Sequence, residues 1–340
     1  MKLSKLFFLS LFLTSATFLS AQQKVVLQSN GTATVFGGAQ PFTDAYNAAS
    51  ETGDTIYLPG GSLVYPATIA KGLVIYGAGH YPDSTQATGK TVLNGNLAIA
   101  ANSDNLHLEG IELTGVLNFA TNVKIDNVVL RRCRFGGINY GGNASSPCEN
   151  NQIIQCVING SIYFSNAKVS TISNCFIGDA IVNGSEIAVL NNIFFRSVSQ
   201  EDISNLKNSS VSNNIFLRRS NNNYQYYCTG VVFSNNIFKH AAPNISANNS
   251  DINNYKDVDI DTLLVNQSGQ AFDYSHDYHL LSPAAYPGTD GTQVGVYGGL
   301  FPYKAAAVPV NPHISSKFIA PQTNNEGELQ IEINVNAQDE

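Results

Sequence analysis

Arg196, Arg218 and His240 each stand two residues after the Phe of an Asn-Asn-Ile-Phe motif, and Asp179 holds the matching place one copy earlier. If the copies stack in register, these side chains form a ladder with steps of about 4.8 Å. Such a ladder offers charge-assisted hydrogen bonds to an acidic polysaccharide. The competing reading is a set of unrelated surface residues, because solvated surface charges are common. Tyr224, Tyr226 and Tyr227 fall in one insertion, Ser220 to Tyr227. Their rings suit sugar stacking or contact with a partner, or else they cover the chain beneath them. Asp257, Asp259 and Asp261 alternate. Three carboxylates on one strand face could hold Ca²⁺. A calcium loop of the EF-hand kind would place Gly where Thr262 stands, so a solvated strand edge is the preferred reading and no cofactor is expected. Gly77-Ala78-Gly79 lacks the third glycine and the helix of a phosphate cradle.

Catalytic chemistry finds less support. Acid–base cleavage of a glycosidic bond needs two carboxylates facing each other across the substrate. The central chain holds few: Asp104, Glu109, Glu112, Asp126, Glu149, Asp179, Glu186, Glu201 and Asp202, with no Asp-Asp dipeptide. No two of them share a column on neighbouring repeats, so no catalytic residue is assigned.

The elements that must position these residues are repeats. Ser212-Asn213-Asn214-Ile215-Phe216 returns as Ser234-Asn235-Asn236-Ile237-Phe238 and is preceded by Leu190-Asn191-Asn192-Ile193-Phe194. Earlier copies are Ser173-Asn174-Cys175-Phe176-Ile177, Ile154-Gln155-Cys156-Val157-Ile158 and Arg131-Arg132-Cys133-Arg134-Phe135, and Leu108-Glu109-Gly110-Ile111 is the faintest. Taken at 110, 133, 156, 175, 192, 214 and 236, the third residues are spaced 23, 23, 19, 17, 22 and 22 apart. A period near twenty marks a solenoid. It is too short for a strand–helix–strand unit or for helical repeats, and the copies lack a leucine-rich frame. Short strands joined by turns remain.

This pattern resembles the right-handed parallel β-helix proteins of the pectate-lyase-like superfamily, over roughly Val25 to Tyr303. Gly53-Asp54-Thr55-Ile56-Tyr57-Leu58-Pro59-Gly60 and Gly72-Leu73-Val74-Ile75-Tyr76-Gly77-Ala78-Gly79 resemble its first two coils. Asp277-Tyr278-His279-Leu280-Leu281-Ser282-Pro283-Ala284 and Gly295-Val296-Tyr297-Gly298-Gly299 resemble its last coil and exit. The resemblance implies an Asn ladder at a tight bend, assigned to Asn174, Asn191, Asn213 and Asn235. It also implies a short N-terminal helix plugging the open end of the coil. Phe42 to Ser50, capped by Thr43, is placed to be that plug. The superfamily hosts lyases, hydrolases, adhesins and scaffolds. Neither the Arg or Lys base over Asp-bound Ca²⁺ of its lyases nor the Asp-Asp pair of its hydrolases can be matched residue by residue.

Residues 1–21 read as a secretory signal: Lys2 and Lys5, then an apolar run from Leu6 to Leu19 that is too short to anchor. No second apolar stretch could span a bilayer. Without the signal, 16 of the 18 basic residues remain against 25 acidic ones, a net charge of −9 that argues against nucleic acid and anionic membranes. Hydrophobic residues make up 43% and charged residues only 13%, as a narrow core inside an uncharged polar coat requires. Of five cysteines, Cys133, Cys156 and Cys175 share one repeat column. Stacked core residues are the preferred reading, over a disulfide between coils and over a metal site that lacks its fourth ligand.

The expected architecture is all-β: a signal at 1–21, a right-handed parallel β-helix at 22–303, a linker at 304–322 and a strand tail at 323–340. In the tail, Leu329, Ile331, Ile333 and Val335 alternate with polar residues. This strand is expected to fold back along the flank of the coil, or else to add to a protein partner's sheet. The functional expectation is an exported, non-catalytic β-helix at the cell surface or in the periplasm, binding carbohydrate or an envelope partner. The alternatives are a lyase or glycoside hydrolase acting on acidic polysaccharide, and a structural or adhesive spacer. The candidate ligand residues are Arg196, Arg218, His240, Tyr224, Tyr226 and Tyr227.

Overall fold

Left-handed bends at regular intervals organise the chain. The computed structural model describes residues 23–196, 200–217, 220–304 and 307–337. It is a parallel β-solenoid of about 9 turns. A representative coil runs through strand Ala188–Leu190, a bend at Asn191, strand Ile193–Phe194 and strand Ile203–Ser204. The next repeats it with Ser210–Ser212, Asn213, Ile215–Phe216 and Gln225–Tyr226. The first strands of the coils stack into a 12-stranded sheet, and the second and third into a 15-stranded sheet. A third face is held by a short strand pair and by single bridges such as Lys168↔Ser185↔Lys207↔Thr229.

The bend between the two large sheets passes through one residue with positive φ: Arg132 (50°), Gln155 (55°), Asn174 (55°), Asn191 (55°), Asn213 (61°) and Asn235 (51°). Asn tolerates this conformation better than most side chains, which accounts for its recurrence. In the faintest copy the bend residue is Gly110, because Leu108 pairs with Leu130. Gly110 therefore matches Arg132, and Ile111 matches Cys133, one residue later than the motif alignment expects.

The continuous hydrogen-bonded ladder is built by the second Asn of each motif; of the first Asn residues, Asn213 Nδ2 reaches Asn191 Oδ1 at 3.4 Å, and the others turn to residues outside the coil. Asn192 Nδ2 donates to Asn214 Oδ1 at 3.0 Å, Asn214 Nδ2 to Asn236 Oδ1 at 2.9 Å, and Asn236 Nδ2 to Asn254 Oδ1 at 2.9 Å. Each Oδ1 also accepts the backbone N–H of the residue one coil below, as Asn214 Oδ1 does from Asn192 at 2.8 Å. The reason is geometric. The left-handed residue reverses the chain and points its own side chain outward, so the residue after it points in. Cys175, Cys156 and Cys133 continue the same inward column. All five cysteines are buried and unpaired, which agrees with core packing.

Side chains stack in register inside the coil. The rings of Phe194 and Phe216 lie 4.6 Å apart, and those of Phe216 and Phe238 lie 5.0 Å apart. Phe119, Tyr140 and Phe164 form a second stack. These columns fill one continuous core.

Strand Val25–Ser29 joins the 12-stranded sheet antiparallel, flanked by Thr32–Phe36 at the edge. Helix Pro41–Ala48 buries Pro41, Phe42, Ala45 and Tyr46 against this first coil, in the position expected of a plug. Its cap is Gln40, without a side-chain bond, and Pro41 opens it in place of the expected Thr43 cap. Asp257, Asp259 and Asp261 lie outside any strand, in a bend, the irregular chain after it and a turn. Asp259 spends its carboxylate on Asp261 N and Thr262 Oγ1, both at 3.1 Å.

The tail departs from expectation. Strand Ile331–Asn336 does not lie along the solenoid flank. It pairs antiparallel with His313–Ile319, inside the stretch expected to be linker. Leu329, Ile331, Ile333 and Val335 all stay exposed, at 45–58%.

Candidate functional site

Among the six expected ligand residues, the structure separates three groups. Arg218 lies outside the described residues. Arg196 is 7% exposed; its guanidinium pairs with Asp179 and donates to Gln200 Oε1 at 2.6 Å and to Gln200 O at 3.3 Å. Tyr224 is fully buried between Phe216 and Phe238, with its hydroxyl 2.7 Å from His240 Nδ1. Arg196 and Tyr224 therefore serve the fold and present no open face to a ligand. His240 is half-buried beside Tyr224. The burial has a cause: Tyr224 leads into the third strand of its coil, where its carbonyl accepts from Ile203 N at 3.0 Å, and its ring points into the core beside the phenylalanine stack.

Tyr226 and Tyr227 behave differently. Tyr226 lies on strand Gln225–Tyr226, and Tyr227 turns the chain with φ 51°. They are 45% and 70% exposed, with ring centroids 3.9 Å apart. A hydrogen bond with Tyr227 pushes the Tyr226 phenol above its usual range. Tyr163, also exposed, shares the column of Tyr226 through the pairings Tyr163↔Val182↔Ser204↔Tyr226.

Tyr226 and Tyr227 border a groove that follows the solenoid axis. One part, of about 820 Å³, is lined by Ser165, Lys168, Asn183, Ser185, Asn205 and Lys207 among others. A second part, of about 530 Å³, is lined by Tyr226, Tyr227, Thr229, Asn244 and Asn248 among others. The bridges Lys168↔Ser185↔Lys207↔Thr229 carry the first part into the second, one coil per step. No Asp or Glu lines either part. At the near end, Glu149 accepts Lys168 Nζ at 3.1 Å and Lys124 Nζ at 3.2 Å, and these two bonds hold its carboxyl below the usual range. Lys207 is exposed. Among the described residues no group of three or more His, Cys, Asp or Glu converges to hold a metal ion.

The lysines and asparagines of the groove escape a forward reading of the motif. Counted backward they are regular: Lys168, Ser185, Lys207 and Thr229 each stand six residues before a bend Asn, and Asn166, Asn183, Asn205 and Tyr227 stand eight before it. Insertions between the second and third strands destroy this register when counting runs forward from Phe.

No family model matches the chain, and no curated protein or solved structure matches it either. No helix among the described residues is long and apolar enough to cross a membrane.

Proposed function

We propose that the protein is an exported, non-catalytic β-helix that holds an extended oligosaccharide along the axial groove. One observation carries this reading: in-register columns of amides, hydroxyls and two lysines lead coil by coil to a pair of exposed tyrosines. A linear glycan presents hydroxyls at regular intervals and apolar ring faces between them. Asn183, Asn205 and Ser185 suit the former, and the rings of Tyr226 and Tyr227 suit the latter. Lys168 and Lys207 favour a chain that carries negative groups. The lining has no carboxylate pair for glycosidic hydrolysis, which favours binding over cleavage. Export rests on the basic start and apolar run of residues 1–21, and membership of the pectate-lyase-like superfamily on the coil sequences after Gly53 and Gly72.

A glycan array with residues 22–340 tests the proposal, alongside reducing-sugar release from acidic polysaccharides. Tyr226→Ala with Tyr227→Ala should weaken any glycan bound by the parent at least about tenfold. Sugar release by the parent would return the enzyme reading to first place. Binding unaffected by the tyrosine changes would remove the groove from consideration.

The exposed apolar face of the C-terminal hairpin favours a second role, contact with a protein partner. Deleting residues 311–340 should then abolish capture of that partner and leave glycan binding intact.

A further inference from the structure

The outward-pointing bend residues have a common occupant. Residues 287–304 and 307–310 run back along the solenoid, against the direction of coil growth, and meet the bend residues coil by coil. Asn235 Nδ2 donates to Pro287 O at 3.0 Å, and Asn213 Oδ1 accepts from Thr289 N at 2.9 Å. Asn191 Nδ2 donates to Gly295 O at 3.3 Å, and Asn174 Nδ2 to Gly298 O at 2.7 Å. Gln155 Nε2 donates to Pro302 O at 2.6 Å, and Arg132 Nη1 to Val308 O at 3.3 Å. The last rung is Val310 N to Glu109 Oε1 at 3.1 Å. The separations in sequence climb from 52 to 201 residues along this series.

Two further observations show a built seat. First, the outward apolar row of the 15-stranded sheet (Val157, Phe176, Ile193, Ile215 and Ile237) is buried under a separate apolar cluster to which the strap contributes Val294, Val296 and Tyr303. Second, the strap lies too close to the coil for a side chain at Gly295 or Gly298. A Cβ on Gly295, whose φ is +80°, would meet Ile215 Cδ1 at 2.6 Å, and one on Gly298 would meet Asn191 Nδ2 at 2.8 Å.

We propose that this strap is a C-terminal lock, which makes the coils unfold as one unit and which prevents folding from completing until the end of the chain has docked. In an ordinary solenoid each repeat contacts only its neighbours, so stability is a sum of local terms and either end can open alone. Here one segment bonds seven successive coils, so opening any of them frees a rung from all the others. Before docking, the apolar row and the bend amides lack their cover, and the chain is incomplete whatever number of coils has formed.

The full-length chain carrying Asn174→Gly, Asn191→Gly and Asn213→Gly tests this. Glycine keeps the positive φ of each bend, so the change deletes the rungs and spares the turns. The matched control carries Asn127→Gly, Asn150→Gly and Asn208→Gly, at bends with φ of 57°, 56° and 46° that bond nothing in the strap among the described residues. Hydrogen exchange is followed in denaturant for the strap, for the first coils and for the last coils. In the parent and the control, both ends should lose protection at the same denaturant concentration. In the strap variant, amides of 287–310 should exchange about a hundredfold faster than in the control, and the two ends should separate. Strap exchange and coincident unfolding that match the control would overturn the proposal. Should the triple variant fail to fold, Asn213→Gly alone should speed exchange of the Thr289 amide about tenfold. An unchanged Thr289 amide would equally overturn the lock.

Discussion

Phe216 and Asn214 show how adjacent residues do different work inside one coil. Phe216 stacks on both Phe194 and Phe238, so Phe216→Ala should lower stability by about 3 to 5 kcal/mol in denaturant titration. Asn214→Ala strands the N–H groups of Asn192, and should cost about 1 to 3 kcal/mol. His80 supplies a pH signature. It is fully buried, with Nδ1 3.0 Å from the Tyr274 hydroxyl, and burial pushes its pKa down to about 3, with Arg134 and Lys90 adding to the effect. In the unfolded chain it titrates near 6.5. The unfolded state therefore takes up the proton first, and the contribution is present above pH 6.5 and lost as pH falls from there towards 3. His80→Gln should flatten that part of the acid slope; equal slopes for parent and variant would contradict it. The recurrence of Asn was legible in the sequence, but which Asn points inward was not. That depends on the left-handed residue reversing the chain, and φ leaves no mark when both candidates are Asn. Tyr224 was likewise indistinguishable from Tyr226 by type, since only the fold of the insertion decides which ring finds the phenylalanine stack.

Among the elements, the C-terminal hairpin stands apart. Strands His313–Ile319 and Ile331–Asn336 satisfy each other's backbones, but their side chains cover nothing. Two-stranded hairpins are marginal by themselves, so this one should open locally long before the coils do. Trypsin should cut at Lys317 under conditions that leave the coils intact, read by intact mass and retained circular dichroism. Protection of Lys317 equal to that of the coil lysines would show that the hairpin is covered in solution. The strand at 331–336 was readable from its alternation. Its partner was not, because the Ala- and Pro-rich residues just before His313 read as linker and masked the short apolar pattern of Ile314, Phe318 and Ile319. Strand order in the regular coils was readable from the motif, since each copy marks the same bend, but the faintest copy was aligned one residue early because Gly110 replaces the bend Asn.

For the whole molecule, the groove and the fold place different demands on the sequence. The fold repeats its demand every coil, so the parallel solenoid announces itself in spacing alone. The groove draws one or two side chains from each coil and needs no particular type at any rung, so only backward counting from the bend reveals it. Its charge is testable apart from its rings. Lys168→Ala with Lys207→Ala should weaken binding of an anionic glycan and reduce the sensitivity of that binding to salt, and should leave neutral glycans little affected. Equal losses for both ligand classes would assign the lysines a structural role.

The returning segment also bears on how such a protein can grow. A chain made only of stacked coils tolerates duplication, because an added repeat finds the same neighbours above and below. Here six bend residues, from Asn235 back to Arg132, each have their own counterpart in residues 287–304 and 307–310, met in strict reverse order. A duplicated coil between Asn191 and Asn213 would put every later counterpart one step out of phase. The segment would need a matching insertion at the same place. It therefore works as a ruler that fixes the number of coils, and lineages that lengthen the solenoid must lengthen both together.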